Sequence, residues 1–172
     1  MKIVGKKNVF DGHYRLNLLQ MRSRDGQDFE REQFETPNSV GILVHDTSKK
    51  KIILVKQFRV GPEKLLLEIV AGKRESKDDD PRTTAKREVM EEVGYEVDEM
   101  EELHHFYPAP GPVSEEMTLY YARVSQKKSD GGGLADEHED IEVIEMDEAE
   151  FKVSEFHDAK TLIAQHWFAR RF

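Results

Sequence analysis

Apolar and β-branched residues come in short runs divided by polar turns along most of this chain, and one stretch switches to a helical period. Residues 14–21 and 28–34 read as two strands around the turn Asp25-Gly26. Residues 39–44 and 52–58 form a second strand pair, separated by the polar loop Asp46-Thr47-Ser48-Lys49-Lys50. Residues 65–71 are a further strand that stops at Gly72, and 73–80 is a charged loop. Asp80-Pro81 predicts a helix start, because Asp suits the cap and Pro the first helical position. The helix should run to about Val93, with Gly94 as its terminator. Strands follow near 101–107, 118–124 and 141–146, and the polar loop 125–140 has Gly131-Gly132-Gly133 at its centre. A last helix over 158–168 carries Ala159, Leu162, Ile163, His166 and Trp167 at helical spacing, which reads as ordinary packing on a sheet. The layout is α+β: a mixed sheet with few helices, preceded by an N-terminal hairpin.

The first helix contains Arg87-Glu88-Val89-Met90-Glu91-Glu92-Val93-Gly94-Tyr95. At ~100° per residue, Glu88, Glu91 and Glu92 share one arc, and Val89, Met90 and Val93 fall on another. Crowded carboxylates repel unless a cation sits among them. Hard divalent cations with oxygen ligands, Mg²⁺ or Mn²⁺, suit such a cluster. The nonamer alone fits a solvated acidic face equally well, and Arg87 and Glu91 have the spacing of an intrahelical ion pair.

The totals narrow the partners. The formal net charge is −9 over 172 residues, which disfavours binding to nucleic acid or to an acidic membrane surface. Cysteine is absent, so disulfides, thiolate catalysis and zinc ribbons are excluded. The first ten residues lack the apolar core of a signal peptide, and no apolar run reaches membrane-spanning length. The expectation is a cytoplasmic protein of one domain.

Taken together, Gly72, Asp79 and the run Arg87–Tyr95 resemble the Nudix box, G-x5-E-x7-R-E-U-x-E-E-x-G-U, with U a large apolar residue. Asp79 stands at the offset of the first Glu, one methylene shorter, and the loop from Gly72 is one residue longer than the pattern. Tyr95 is aromatic where aliphatics are common. The resemblance continues on both sides. Residues 65–72 look like the strand leading into the box of ADP-ribose pyrophosphatases, and Gln57-Phe58-Arg59 resembles their substrate-facing segment. Residues 108–115 resemble the S-P-G-x-x-x-E stretch of enzymes acting on nucleoside diphosphate sugars. Residues 133–141 look like their catalytic loop, G-x-x-x-E-x-E-D-I.

The resemblance implies the Nudix fold, an α/β/α sandwich around a mixed sheet spanning 39–172, with residues 1–38 as a hairpin extension in a homodimer interface. It implies Mg²⁺, with Mn²⁺ as a substitute, held by Glu88, Glu92 and the carbonyl of Ala71. Glu91 is either a further ligand, the preferred role, or the partner that fixes Arg87. Gly72, Arg87 and Gly94 are structural. Carboxylates beside cations are weak bases, and the loop supplies another: Glu137 as general base, with Glu139 contacting metal. His138 is set aside because the flanking glutamates carry the pattern. Arg59 would grip the diphosphate or the terminal sugar. Glu115 would bond ribose hydroxyls, and Pro110 points to diphosphate sugars rather than triphosphates. Glu68 is a supporting or substrate contact. Arg31 and Phe34 would reach a substrate from the hairpin of a partner subunit. The implied activity is hydrolysis of nucleoside diphosphate sugars, ADP-ribose and GDP-mannose first. The departures at Asp79 and in loop length motivate the alternative of a non-catalytic nucleotide-sugar sensor; a triphosphate pyrophosphohydrolase is the other enzyme reading.

Overall fold

The computed structural model describes residues 1–75, 80–133 and 140–172. The N-terminal part is a three-stranded antiparallel sheet of β1 (Lys2–Asp11), β2 (Arg15–Arg22) and β3 (Asp28–Glu35), with β2 in the middle. The expected hairpin is therefore β2–β3, with β1 added at its edge. β1 is exposed along almost its whole length, so it lacks the apolar alternation that would announce a strand.

The larger sheet runs β10 (Ile141–Asp147), β5 (Lys51–Arg59), β4 (Ser39–Asp46), β9 (Met117–Lys127) and β8 (Tyr95–Phe106). β4 lies parallel to β9 and antiparallel to β5, so the sheet is mixed. β4 is buried at every position and its residues alternate between two cores. Val40, Ile42 and Val44 pack with Ala85, Val89 and Val93, which come from the helix and the box. Leu43 faces the opposite layer, with Phe151, Ala164 and Phe168. Those residues belong to α2 (Glu148–Val153) and α3 (Ala159–Arg171), while α1 (Pro81–Glu88) covers the first face. The expected α/β/α sandwich is present. α2 was not foreseen, since six residues are too few to establish a helical period.

The central relationship for function is a fork between β4 and β5. The two pair only near the β4 end, from Val44 to Asp46. Beyond that, β6 (Lys64–Glu68) pairs with β5 and β7 (Val70–Lys73) pairs with β4. The single strand expected over 65–71 is thus two strands, changing partner at Ile69. The Ile69 amide, released from both ladders, donates to Thr161 Oγ1 at 3.0 Å, which pins the start of α3 to the fork. Among the described residues, no helix is long and apolar enough to cross a membrane.

Candidate active site

The helix that carries the carboxylates begins as its sequence dictates. Asp80 caps it, accepting from the Arg82 amide at 3.2 Å, and Pro81 occupies the first turn. After Glu88 the backbone widens into one π-helical turn over Val89–Val93, and Gly94 ends it at φ +74°. A side chain at Gly94 would also place its Cβ 2.0 Å from the Ser129 carbonyl oxygen. Glycine is required there on both counts.

Gly72 meets the helix from β7. A Cβ on it would lie 1.9 Å from the Glu88 carboxyl carbon, so the glycine lets that carboxylate rest directly on the strand backbone. Glu92 is 3% exposed and accepts from the Ala71 amide at 3.3 Å. The Ala71 backbone, Gly72, Glu88 and Glu92 thus form one cradle at the fork. Arg87 donates to Glu88 at 2.6 Å, pairs with Glu91, and reaches the Lys73 carbonyl at 3.5 Å. Partial burial opposes the Arg87 charge, but Glu88 and Glu91 outweigh it and hold its pKa above the ordinary value. In this arrangement Glu91 is the partner of Arg87, the second of the two roles left open for it. Among the described residues, no three acidic or histidine side chains converge as ligands. The donors of the cradle are nevertheless all oxygen, which fits Mg²⁺ or Mn²⁺ and not a softer metal.

The other side of the fork is a buried ion cluster. Glu68, 1% exposed, accepts from Arg59 Nη2 at 2.7 Å and from Lys160 Nζ at 2.7 Å, both on Oε2. Lys160 also lies 3.1 Å from Asp158. Burial opposes the Arg59 charge, and Glu68 overcomes it and raises its pKa. Lys160 was not singled out from sequence. One signal was available: a lysine in the first turn of a helix opposes the macrodipole and calls for a nearby anion. Ala71, Gly72, Glu88, Glu91, Arg59 and Lys160 all line one cleft of 670 Å³, and Glu115 joins them through a short hydrogen bond from the Ser39 hydroxyl.

The glycine run docks on the box. The amides of Gly132 and Gly133 donate to the carbonyls of Glu92 and Glu91 at 2.8 and 3.1 Å. All three glycines have positive φ, between +73° and +106°.

A family model of the NUDIX domain matches residues 35–165, more than half of the chain. The chain belongs to the Nudix family. Among curated proteins it is 39% identical to a methanol dehydrogenase activator of Bacillus methanolicus, over 95% of this chain and 89% of that one. It is 36% identical to a GDP-mannose pyrophosphatase of Cronobacter sakazakii, over 96% and 94% of the two chains. The corresponding protein of Escherichia coli strain K12 is 33% identical, over 94% and 91%. A solved structure described as an ADP compounds hydrolase superposes with a TM-score of 0.78, covering 99% of this chain and 92% of its own at 19% identity, and so shares the fold.

Within the Nudix frame, Tyr95 explains its own departure from the aliphatic pattern. Its ring fills the core, while its hydroxyl accepts from Lys49 at 3.1 Å and donates to Glu145 at 3.3 Å. Other expected residues lie elsewhere in this chain. Phe34 is tied to the proline stretch, its amide donating to the Pro112 carbonyl at 2.7 Å, and Arg31 stands over the Phe29 ring. Neither they nor Pro110 lines the cleft. Asp79, Glu137, His138 and Glu139 lie outside the described residues.

Proposed function

We propose that this chain is a Nudix hydrolase that cleaves the pyrophosphate bond of nucleoside diphosphate sugars, giving a nucleoside monophosphate and a sugar phosphate. The observation that carries the reading is the cleft itself, whose wall joins Ala71, Gly72 and Glu88 of the cradle to Arg59 and Lys160, the two cations held by buried Glu68. The GDP-mannose pyrophosphatases among its relatives support the substrate class.

Glu88, Glu92 and the Ala71 carbonyl would hold Mg²⁺, with Glu91 joining once Arg87 releases it and Mn²⁺ as a substitute. Bound there, the metal would neutralise phosphate charge and lower the pKa of bound water. Arg59 and Lys160 grip the diphosphate or terminal sugar, and Glu68 holds both in place. Glu115 faces the ribose hydroxyls. Glu137 would take the proton from the attacking water, and Glu139 would contact metal. Water adds across one P–O bond, the bridging oxygen leaves on the other phosphate, and both products are monoesters. We place the enzyme in the cytoplasm as a homodimer, with residues 1–38 at the interface; Ile3, Val4, Val9 and Phe10 are exposed apolar positions on β1 that support this.

The test is a panel of nucleotide sugars incubated with the protein and Mg²⁺, followed by phosphatase and phosphate measurement. Turnover of ADP-ribose or GDP-mannose supports the reading. Binding without turnover of any member would leave the non-catalytic sensor, and turnover confined to nucleoside triphosphates would leave the triphosphate hydrolase. A second reading follows from the 39% identical methanol dehydrogenase activator: the chain activates a partner dehydrogenase. A dehydrogenase whose rate rises when this protein is added would favour it.

A further inference from the structure

A second cavity, of 330 Å³, shares Arg74 with the cleft and is otherwise built from different residues. Its inner wall is β9, where Thr118 and Tyr120 stand two residues apart and so on one face of the strand. Their cross-strand partners on β8 are His105 and Glu102. The remaining wall comes from Arg74, which follows β7, and from Asp80 and Arg82 at the start of α1.

Tyr120 is 1% exposed and Thr118 8%. Both line the cavity, and among the described residues neither hydroxyl has a hydrogen-bond partner. The charges around Tyr120 show where its hydroxyl points. Burial pushes its pKa up, and the groups that act on it next are Glu102, Arg82, Asp80 and Arg74, all in the cavity wall. Buried hydroxyls without a partner cost stability, so they call for a group from outside the chain to complete them. The wall around them is held in place. Arg82 Nη1 donates to the Met100 carbonyl at 3.1 Å, and its guanidinium lies 5.7 Å from the Tyr120 ring centroid. The Arg74 amide donates to the Asn38 carbonyl at 2.8 Å.

The charges of the wall balance. Asp80 and Glu102 offset Arg74 and Arg82, while His105 Nε2 pairs with Glu116 Oε1 at 2.7 Å. An anion drawn to the arginines meets the carboxylates, and a cation meets the reverse, so neither is favoured. A neutral molecule with several hydroxyls suits both signs at once, since each hydroxyl donates and accepts. The cavity is at the small end of the range for ligand sites, which suits a single sugar ring. We propose that this cavity is a second ligand site, distinct from the cleft, and that it takes a neutral monosaccharide on the Tyr120 and Thr118 hydroxyls. The inference stands whether or not the hydrolase reading does.

The test titrates ¹⁵N-labelled protein with mannose, ribose and inorganic phosphate and follows the amide resonances. One of the sugars should move the amides of Thr118, Tyr120 and His105, with a Kd on the order of millimolar. Tyr120→Phe and Thr118→Val should each weaken that binding about fivefold. Their thermal midpoints should be no lower than that of wild type, because neither hydroxyl bonds to the protein. Arg59→Ala, on the cleft, should leave the sugar affinity unchanged. Resonances that stay put up to about 100 mM of either sugar would overturn the proposal, as would an affinity indifferent to both hydroxyl variants. Loss of binding in Arg59→Ala alone would place the sugar in the cleft, and tighter binding of phosphate than of sugar would make the cavity an anion site; either result also overturns it.

Discussion

The Gly132 amide donates to the Glu92 carbonyl at 2.8 Å, so the glycine run is bonded to the turn that carries Glu91 and Glu92. A loop glycine is usually taken as a hinge. Here the run is an anchor: it satisfies carbonyls that the end of a helix would otherwise leave open. Residues 131–133 immediately precede the segment that carries Glu137 and Glu139.

That anchoring makes Gly131→Ala costly. Its φ is +73°, and a Cβ would sit 2.5 Å from the Glu92 carbonyl oxygen. The change should lower stability by about 2 kcal/mol and reduce turnover, because Glu92 must shift. Gly26→Ala is the control: φ is +88° but nothing lies within 4 Å, so only the backbone cost of about 1 kcal/mol applies. Urea denaturation of the two variants checks this, and equal losses would contradict the docking account.

Glu68→Gln should be strongly destabilising, by about 3 kcal/mol, because it removes the carboxylate that holds Arg59 and buried Lys160. Adding Lys160→Met should recover part of the loss, since the stranded ammonium is then gone. Denaturant midpoints of the single and double variants decide the point. A double variant no more stable than Glu68→Gln alone would contradict the coupling described.

Alkaline pH should unfold the protein through Tyr121. Burial pushes its pKa up to about 12, and its hydroxyl lies 2.7 Å from His45 Nδ1. The unfolded phenol ionises near 10. Between those values the folded state keeps a proton that the unfolded state has released, so stability falls as pH rises. The contribution is fully present below about pH 10, and on the order of 2 kcal/mol is lost across the window. Urea titrations at about pH 9 and pH 11 should show a smaller pH dependence in Tyr121→Phe than in wild type. Identical dependence would place the alkaline sensitivity elsewhere.

Glu92→Gln should leave the fold intact and reduce turnover on the order of 100-fold, equivalent to about 3 kcal/mol of lost metal-borne stabilisation. Raising Mg²⁺ should recover part of the activity if metal affinity is what fell. Unchanged turnover would remove Glu92 from the site.

The parts of this site that could be read from sequence are those set by local rules. Asp80-Pro81 starts a helix, Gly94 ends one, and the spacing of Glu88 and Glu92 puts them on one face, all within a few residues. What escaped depends on distant partners. Lys160 meets Glu68 from the far end of the chain, and nothing in either segment names the other. The strand over 65–71 looked continuous because its apolar run is continuous; the break at Ile69 arises from a change of partner strand. Arg31 and Phe34 were expected at the substrate through a partner subunit; within one chain it is His13 and Tyr14 that line the cleft.

The most direct measurement is ³¹P NMR of GDP-mannose or ADP-ribose incubated with the protein and Mg²⁺. The account predicts that the diphosphate signals are replaced by two monoester signals in equal amounts, one from the nucleoside monophosphate and one from the sugar phosphate. Diphosphate signals that persist with both substrates, while the protein binds them, would contradict it.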